Sequence, residues 1–361
     1  APPAHPRTHS PSRRSLVASS SSGSLPRYIA TRLLLVIPLI WVLLSVVFLL
    51  LRVAPGDPVS AAGGDRLDAD VLQQRREAAG LDKPLFLQYL SYLGDVARFD
   101  FGDTFRTGTP VLHIVRDFGG ATLTLTLGAF LIALLIGLPL GRLAGRFRDT
   151  PLDVGIRLYG VVSYAAPLFW VGILLVVLVN KLDPTWPTNG IADPFLLATS
   201  DSYTKTHIFL LDTLIAGDTE AFTDVLKHHV LPCLTLGILL SGVIVRLVRI
   251  NVIQALQGDY VEAARARGIP EGRVVRKHAF RNALVPVITV IGLQVALTLS
   301  GAVLTESTFG WPGIGTQLLK YIGERDYIAV QGIVTFFAVI VVLTSVVVDV
   351  VNAIVDPRVR Y

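Results

Sequence analysis

Six stretches of this chain are too long and too apolar to be solvated by water. Residues 33–51, 122–140, 161–179, 231–248, 285–304 and 328–354 each approach or exceed the roughly 20 residues that carry a helix across hydrocarbon, the last with room for tilt. No water reaches the bilayer core, so every backbone N–H and C=O there must be paired within the protein. Helices are the reasonable form for runs of this length. The weakest of the six is 231–248, because Arg246 falls in its final turn. Composition agrees: 52% of residues are hydrophobic and 16% charged, against about a quarter charged in soluble domains. The expected fold is an all-α polytopic membrane protein with six transmembrane helices and both termini on one side.

Lysine and arginine say which side that is. Arg142, Arg146, Arg148 and Arg157 flank the connection between the second and third runs, and Arg246, Arg249, Arg265, Arg267, Arg273, Arg276, Lys277 and Arg281 crowd the one between the fourth and fifth. The later loops on the opposite side offer Lys181, Lys205, Lys227, Lys320 and Arg325. Basic loops stay in the cytoplasm, so both termini and the 251–284 loop are expected there. Basic cytoplasmic loops also account for a formal net charge of +5, so it points to a lipid bilayer and not to nucleic acid.

Residues 1–26 are rich in Ser, Pro and Arg and read as a disordered cytoplasmic tail. No methionine occurs, so Ala1 is not expected to be the translated start. The run 33–51 is long enough to span, and Arg52 to Pro58 offers no cleavage site, so it reads as an uncleaved first helix. Two segments, 52–118 and 180–230, are expected outside the cell. In the first, 67–79 reads as a helix ended by Gly80, and 84–99 as an amphipathic helix with Leu85, Gln88, Tyr89, Tyr92 and Leu93 on one stripe, resting on the membrane or on neighbouring loops. The second carries an acidic patch of Asp212, Asp218, Glu220 and Asp224, then His228 and His229, which read as solvated interfacial residues. Cys233 is the single cysteine, and no Cys/His spacing resembles a metal site.

The loop 258–286, GDYVEAARARGIPEGRVVRKHAFRNALVP, is the most charged segment between two apolar runs. Asp259 followed by Glu262 predicts a capping box. Good helix formers from Tyr260 to Arg267 then meet Gly268, suited to a left-handed C′ position. Pro270 stops continuation and suits the first position of a second, basic helix that feeds the apolar run beyond Pro286. Ala263 and Ala264 give the short helix a face of small side chains, fit for insertion into another protein's groove.

Glu262-Ala263-Ala264, three residues, then Gly268 resembles the EAA loop of permease subunits in binding-protein-dependent ABC importers. Lys277-His278, then Asn282 and Pro286, resembles the variant of the dipeptide/oligopeptide/nickel branch, with Lys in place of the usual Arg. That exchange keeps charge and loses the guanidinium fork. The resemblance covers about 27–361 apart from an apparent extracytoplasmic insertion near 190–225. It implies a type I importer permease domain in the cytoplasmic membrane of a prokaryote. It also implies a second similar permease subunit, two cytoplasmic ABC ATPases that bind ATP and Mg, and an extracytoplasmic substrate-binding protein. Cofactors bound by this chain itself are not expected. Tyr260, Glu262, Ala263, Ala264, Arg267, Gly268, His278, Asn282 and Pro286 become the expected ATPase-coupling residues. The implied cargo is a di- or oligopeptide, with nickel and glutathione carried by the same branch.

Several other chemistries are disfavoured by what the runs contain. No G-x-x-x-x-G-K-[ST] phosphate loop occurs, so an ATP-driven machine must borrow its ATPase. An ion-coupled secondary transporter calls for ionisable groups and paired broken helices inside the membrane, and neither is evident. No run pairs Ser with His for an intramembrane hydrolase. Arg246, Asp349 and Glu306 lie near run ends and read as interfacial, snorkelling or capping. Milder polar residues, Ser163, Tyr164, Gln294, Thr298 and Thr335, either line an aqueous substrate path or bond across helix contacts.

Overall fold

The computed structural model describes residues 25–53, 69–78, 80–199 and 205–355. The expectations for the tail up to residue 24, for 54–68 and for the terminal 356–361 fall outside the described residues. The helices are α1 (Leu25–Val53), α2 (Ala69–Ala78), α3 (Leu85–Ala97), α4 (Val111–Arg146), α5 (Pro151–Ala165), α6 (Leu168–Leu182), α7 (Pro194–Thr199), α8 (Phe209–Ala216), α9 (Thr219–Ala255), α10 (Asp259–Ala266), α11 (Glu271–Arg273), α12 (Phe280–Thr308), α13 (Ile314–Gly323) and α14 (Tyr327–Val355). A π-helical stretch, Val274–Ala279, joins α11 to α12. Among the described residues there is no strand, only an isolated bridge between Asp103 and Pro110.

Among the described residues four helices are long and apolar enough to cross a membrane: Ile29–Arg52 within α1, all of α4 and α9, and Tyr327–Val350 within α14. The fifth expected run lies inside the 29-residue α12. The third, 161–179, is not one helix. It is split between α5 and α6, which meet at 109°. Pro167 is the cause: its ring disfavours the α region for the residue before it, and Ala166 is extended at φ −70°, ψ 134°. Pro38, Pro139, Pro232 and Pro286, by contrast, sit within helices that run through them.

The bundle is built on α4 and α9, of 36 and 37 residues. At 1.5 Å per residue each is about 54 Å long, well beyond a hydrocarbon core of roughly 30 Å, so both extend into water. They run parallel in close contact, and glycine makes the contact possible. Gly137, Gly141 and Gly145 recur every four residues on α4 against Ile244, Val248 and Val252 of α9. A methyl group at Gly141 would sit 2.6 Å from the Val248 side chain and 2.8 Å from the Val245 carbonyl oxygen. In lipid, where burial of apolar surface does not drive helices together, such small residues let backbones approach and gain dispersion energy.

The other helices pack around this pair. On one side α5 lies antiparallel to α9, its Asp153 fully buried and held by Arg249 through Oδ1–Nε at 2.6 Å and Oδ2–Nη2 at 2.8 Å. On the other side α1 packs along α14, with Leu44, Val47 and Phe48 buried and Arg32 paired to Asp349 at 3.3 Å. The amphipathic helix α3 rests on these two spans and on the loop before it, where Gln88 donates to the Leu81 and Lys83 carbonyls at 3.2 and 2.7 Å. Tyr89 bonds Ser45, Tyr92 bonds Thr335 at 2.6 Å, and Gln88 accepts from Arg52 at 3.1 Å. Leu85 leaves the expected stripe: it is exposed beside Phe86 on the outer face.

In 180–230 three of the four acidic residues serve local structure, while Glu220 is exposed. Asp212 is buried and accepts from Thr206 N and Oγ1, Asp218 caps α9 by accepting from Ala221 N, and Asp224 accepts from Asp193 N. His228 and His229 are buried instead of solvated, because α9 begins nine residues before them at Thr219. The His229 ring stands edge-on to Trp311 with centroids 4.5 Å apart, and its Nδ1 donates to the Val225 carbonyl at 2.7 Å.

Candidate functional site: a short helix on the foot of α12

The end of the bundle where α4 and α9 finish carries α10, an eight-residue helix reached through a tight turn from α9. Its start differs from the expected capping box. Gly258 is the N-cap, Asp259 is already the first helical residue, and no side chain caps the end. Gly258 also leaves room for Tyr260, whose ring a Cβ there would approach to 2.5 Å and whose hydroxyl donates to the Ala255 carbonyl at 2.9 Å.

The other end matches the expectation closely. Gly268 takes φ +73°, its N–H reaches the Arg265 carbonyl at 2.9 Å, and Ile269 N reaches the Ala264 carbonyl at 3.2 Å. These two bonds form a Schellman motif, which satisfies carbonyls the helix end would orphan and needs a left-handed residue at C′. Pro270 is the N-cap of α11, one position before the place expected for it.

The faces of α10 divide the residues by role. Val261 and Ala264 point inward, packing with Val274 and Ala279 of the π stretch and with Ala255, Leu256 and Ile269. Glu262, Ala263, Ala266, Arg267 and Gly268 point outward. Ala264 is therefore core, and Ala263 is the alanine of the pair that presents a small surface. Arg265 reaches over to Glu271 in a two-point contact of 3.0 and 2.8 Å, and its guanidinium holds the Glu271 carboxyl below the usual range. By these contacts α10 is packed on the π stretch at the foot of α12.

His278, Asn282 and Pro286 follow on successive turns from the π stretch into α12, half-buried, exposed and exposed respectively. Lys277 beside them is exposed. They form a line leading from the handle toward the spanning part of α12. A π stretch is a strained, tunable form of helix found often at functional positions, and nothing in the sequence reading anticipated it.

The five residues expected along a path fall on three helices: Ser163 and Tyr164 on α5, Gln294 and Thr298 on α12, and Thr335 on α14. Ser163 is buried at the contact where Gly242 of α9 meets α5, and Tyr164 next to it is exposed. Thr298 is buried and donates to the carbonyl of Gln294 one turn back, at 2.6 Å. Thr335 is buried at its bond to Tyr92. Of the two uses left open for these side chains, three of the five serve helix contacts or their own helix.

A second constellation was not expected. Glu306, in the last turn of α12, is fully buried instead of interfacial. Its Oε1 accepts from Thr122 of α4 at 2.6 Å and its Oε2 from Thr316 N of α13 at 2.9 Å, while Ile314 N donates to the Thr122 hydroxyl at 2.9 Å. Trp311 in the intervening turn donates its indole N–H to the Ala121 carbonyl at 3.0 Å. One carboxyl thus takes up free N–H groups at the start of α13 and locks the α12–α13 turn onto α4. The sequence signal was the spacing Glu306…Gly313-x-Gly315: both glycines give way to the carboxyl, which a Cβ at either would strike.

The comparisons decide the family. Residues 137–361 match the binding-protein-dependent transport system inner membrane component, and residues 25–126 match the N-terminal part of such membrane components. The chain belongs to this family. The permease is 39% identical to a di/tripeptide transport system permease protein of Pseudomonas aeruginosa, over 92% of this chain and 98% of that protein. It is 38% identical to a dipeptide transport system permease protein of Escherichia coli, over 93% and 99%. An oligopeptide transport system permease protein of Bacillus subtilis is 32% identical over 92% and 99%. The permease is thus a multi-pass membrane component of a transport system that works with a binding protein, a transport subunit in place of an enzyme.

Proposed function

We propose that this permease passes di- or oligopeptides inward across the cytoplasmic membrane, driven by separate ATPase subunits that grip α10. The observation that carries the reading is the division of α10 into a buried face and an outward one. The outward face offers Glu262, Ala263 and Arg267 on a helix fixed to the foot of α12. The names of the relatives, all peptide transport permeases, support the cargo. In this reading a second, similar permease completes the membrane unit, two ATPases bind ATP and Mg, and a binding protein delivers peptide from outside. The crowding of Arg142, Arg146, Arg249 and Arg276 at the end that bears α10 supports a cytoplasmic placement for that end and for both termini.

ATP binding closes the ATPase pair, and α10 is carried with it as a rigid handle. Because α10 packs on the π stretch, its displacement tilts α12. ATP must bind one arrangement better than the other, since a ligand shifts an equilibrium only by its differential affinity. The test is Glu262→Lys and Ala263→Glu in the full transporter reconstituted in proteoliposomes. Both side chains point away from the protein, so insertion and folding are expected to persist while peptide-stimulated ATP hydrolysis and dipeptide uptake are lost. Variants that still hydrolyse ATP in step with peptide would refute the handle. Uptake of nickel or glutathione with none of labelled dipeptide would refute the cargo, and uptake sensitive to ionophores but indifferent to ATP would refute the energy source.

A further inference from the structure

The end of the bundle that bears α10 also holds a cleft of about 360 Å³, between the last turns of α4 and the α11–π foot of α12. Its lining is Arg142, Leu143, Arg146, Gly272, Arg273, Val275 and Arg276. We propose that this cleft binds an anionic phosphate group, supplied by a phospholipid headgroup of the surrounding membrane.

Four guanidinium groups face one cavity, and among the described residues no carboxylate lies within 4.0 Å of any of them. The acid at the rim, Glu271, feels Arg146 but has both oxygens engaged by Arg265. Asp149, beyond the end of α4, is taken by Arg148, and Asp153 by Arg249 and Arg157. Two of the cleft's arginines are held by aromatic faces, Arg142 over Phe280 at 5.5 Å and Arg146 over Phe147 at 4.8 Å. Stacking orients the planar groups while leaving their N–H edges available. Like charges gathered in a concave site repel one another until an anion enters, and arginine forks match the geometry of phosphate oxygens.

The location selects the source. The cleft opens at the ends of the apolar α4 and of the helix that continues into α12, with Leu143 and Val275 in its wall. Arg142 and Arg146 follow directly on the apolar run 122–140 of α4, the kind of position at which basic pockets between spanning helices meet anionic lipid. Gly272 lies against the Arg146 guanidinium: a Cβ there would be in ordinary contact with it at 3.7 Å. A lipid phosphate in this position would bridge α4 to the foot of α12, the part that the handle moves. The proposal rests on the membrane placement of the bundle and not on the identity of the cargo.

The assembled transporter in nanodiscs of phosphatidylcholine with or without phosphatidylglycerol tests it. Native mass spectrometry should find phosphatidylglycerol retained by the permease, and retention should fall about thirtyfold for Arg142→Gln with Arg146→Gln, two charges lost near a membrane surface. Gly272→Glu is the second variant. It keeps every arginine, places a carboxylate in the cleft, and should displace the lipid equally. Arg148→Gln, whose charge is already paired outside the cleft, should retain the lipid. Unfolding midpoints in pure phosphatidylcholine check that each variant is folded. Equal retention by the wild type, Gly272→Glu and the double variant would overturn the proposal. If inorganic phosphate alone occupied the site as tightly as the lipid, the phosphate would stand and the lipid source would fall. Loss of retention whenever the ATPases are attached would assign the arginines to a protein carboxylate and overturn it too.

Discussion

Replacing Glu306 separates a structural carboxyl from an interfacial one, and the structure fixes the sizes. In Glu306→Ala the Thr316 N–H at the start of α13 loses its acceptor, and Thr122 loses the oxygen it donates to. An orphaned buried donor costs about 1–3 kcal/mol, and the space left by the missing side-chain atoms adds about 1–2 kcal/mol. Removing a buried carboxyl also relieves its desolvation, which offsets part of this. A net loss of about 2–4 kcal/mol is expected. Glu306→Gln keeps shape and the Thr316 contact, because the amide oxygen accepts from Thr316 N, while the amide N–H can donate to the Thr122 oxygen but cannot accept the Thr122 hydroxyl hydrogen. It should cost about 1 kcal/mol, less than alanine. Glu306→Leu fills the space without serving the N–H and should fall between the two. The assay is reversible unfolding in mixed micelles by titration with a denaturing detergent, read from tryptophan fluorescence, since Trp311 lies in the same turn and is fully buried. If Ala, Leu and Gln all fall within about 0.5 kcal/mol of the wild type, in the range of ordinary surface changes, the carboxyl does not hold the α12–α13 turn and the reasoning fails.

Gly141→Val should be among the most damaging changes in the spans. Its Cβ would lie 2.8 Å from the Val245 carbonyl, so α4 and α9 must separate, and the loss should exceed the 1–3 kcal/mol of ordinary overpacking. Gly155→Ala, where a Cβ would meet nothing within 4 Å, should be neutral in the same detergent titration. Arg249→Met should cost about 1–3 kcal/mol by removing the two short contacts of the fully buried Asp153, which keeps Arg157 at 3.7 Å and the Asp149 N–H at 3.0 Å, whereas the double change Asp153→Leu with Arg249→Met should recover part of it. Equal losses in the single and double variants would refute that pairing. At Glu271 the carboxyl is held below its usual range by Arg265. The contribution is present above the unfolded value near 4.5 and lost as pH falls through the lower folded one. Both partners are about half exposed, so Glu271→Gln should change stability by no more than about 0.5 kcal/mol at neutral pH, with wild type and variant converging in acid.

What could be read from the residues and what could not follows the distance over which each signal acts. The end of α10 was legible because a Schellman motif is local: Gly268 after a run of helix formers carries its own geometry. The spans were legible because lipid imposes one rule on every residue in them. The start of α10 was misread by one position, since Asp259 with Glu262 has the spacing of a capping box whether or not the chain enters the helix at Gly258. The break at Pro167 had its signal in the sequence too. Proline inside a spanning run is carried by α4, α9 and α12, so its presence at 167 did not by itself announce a 109° bend.

The harder cases are the groups whose partners lie far along the chain. Glu306 meets Thr122 across 184 residues, Asp153 meets Arg249 across 96, and His229 meets Trp311. Glu306 and His229 looked interfacial because, taken alone, a polar residue near the end of an apolar run is best placed in water. Burial became favourable only when a second helix supplied the bond, and no pattern within one helix encodes that. The small-residue spacing of Gly137, Gly141 and Gly145 was such a pattern and could have been used: it marks the face of α4 that α9 covers. With α9 placed there, Asp153 at the start of α5 and Arg249 near the end of α9 fall at the same end of the bundle. The same placement brings Arg142 and Arg146 beside the foot of α12. The charges at that end therefore divide into those that find a protein partner and those that do not. The latter gather against the foot of α12, so a tilt of α12 would open or close the space between them.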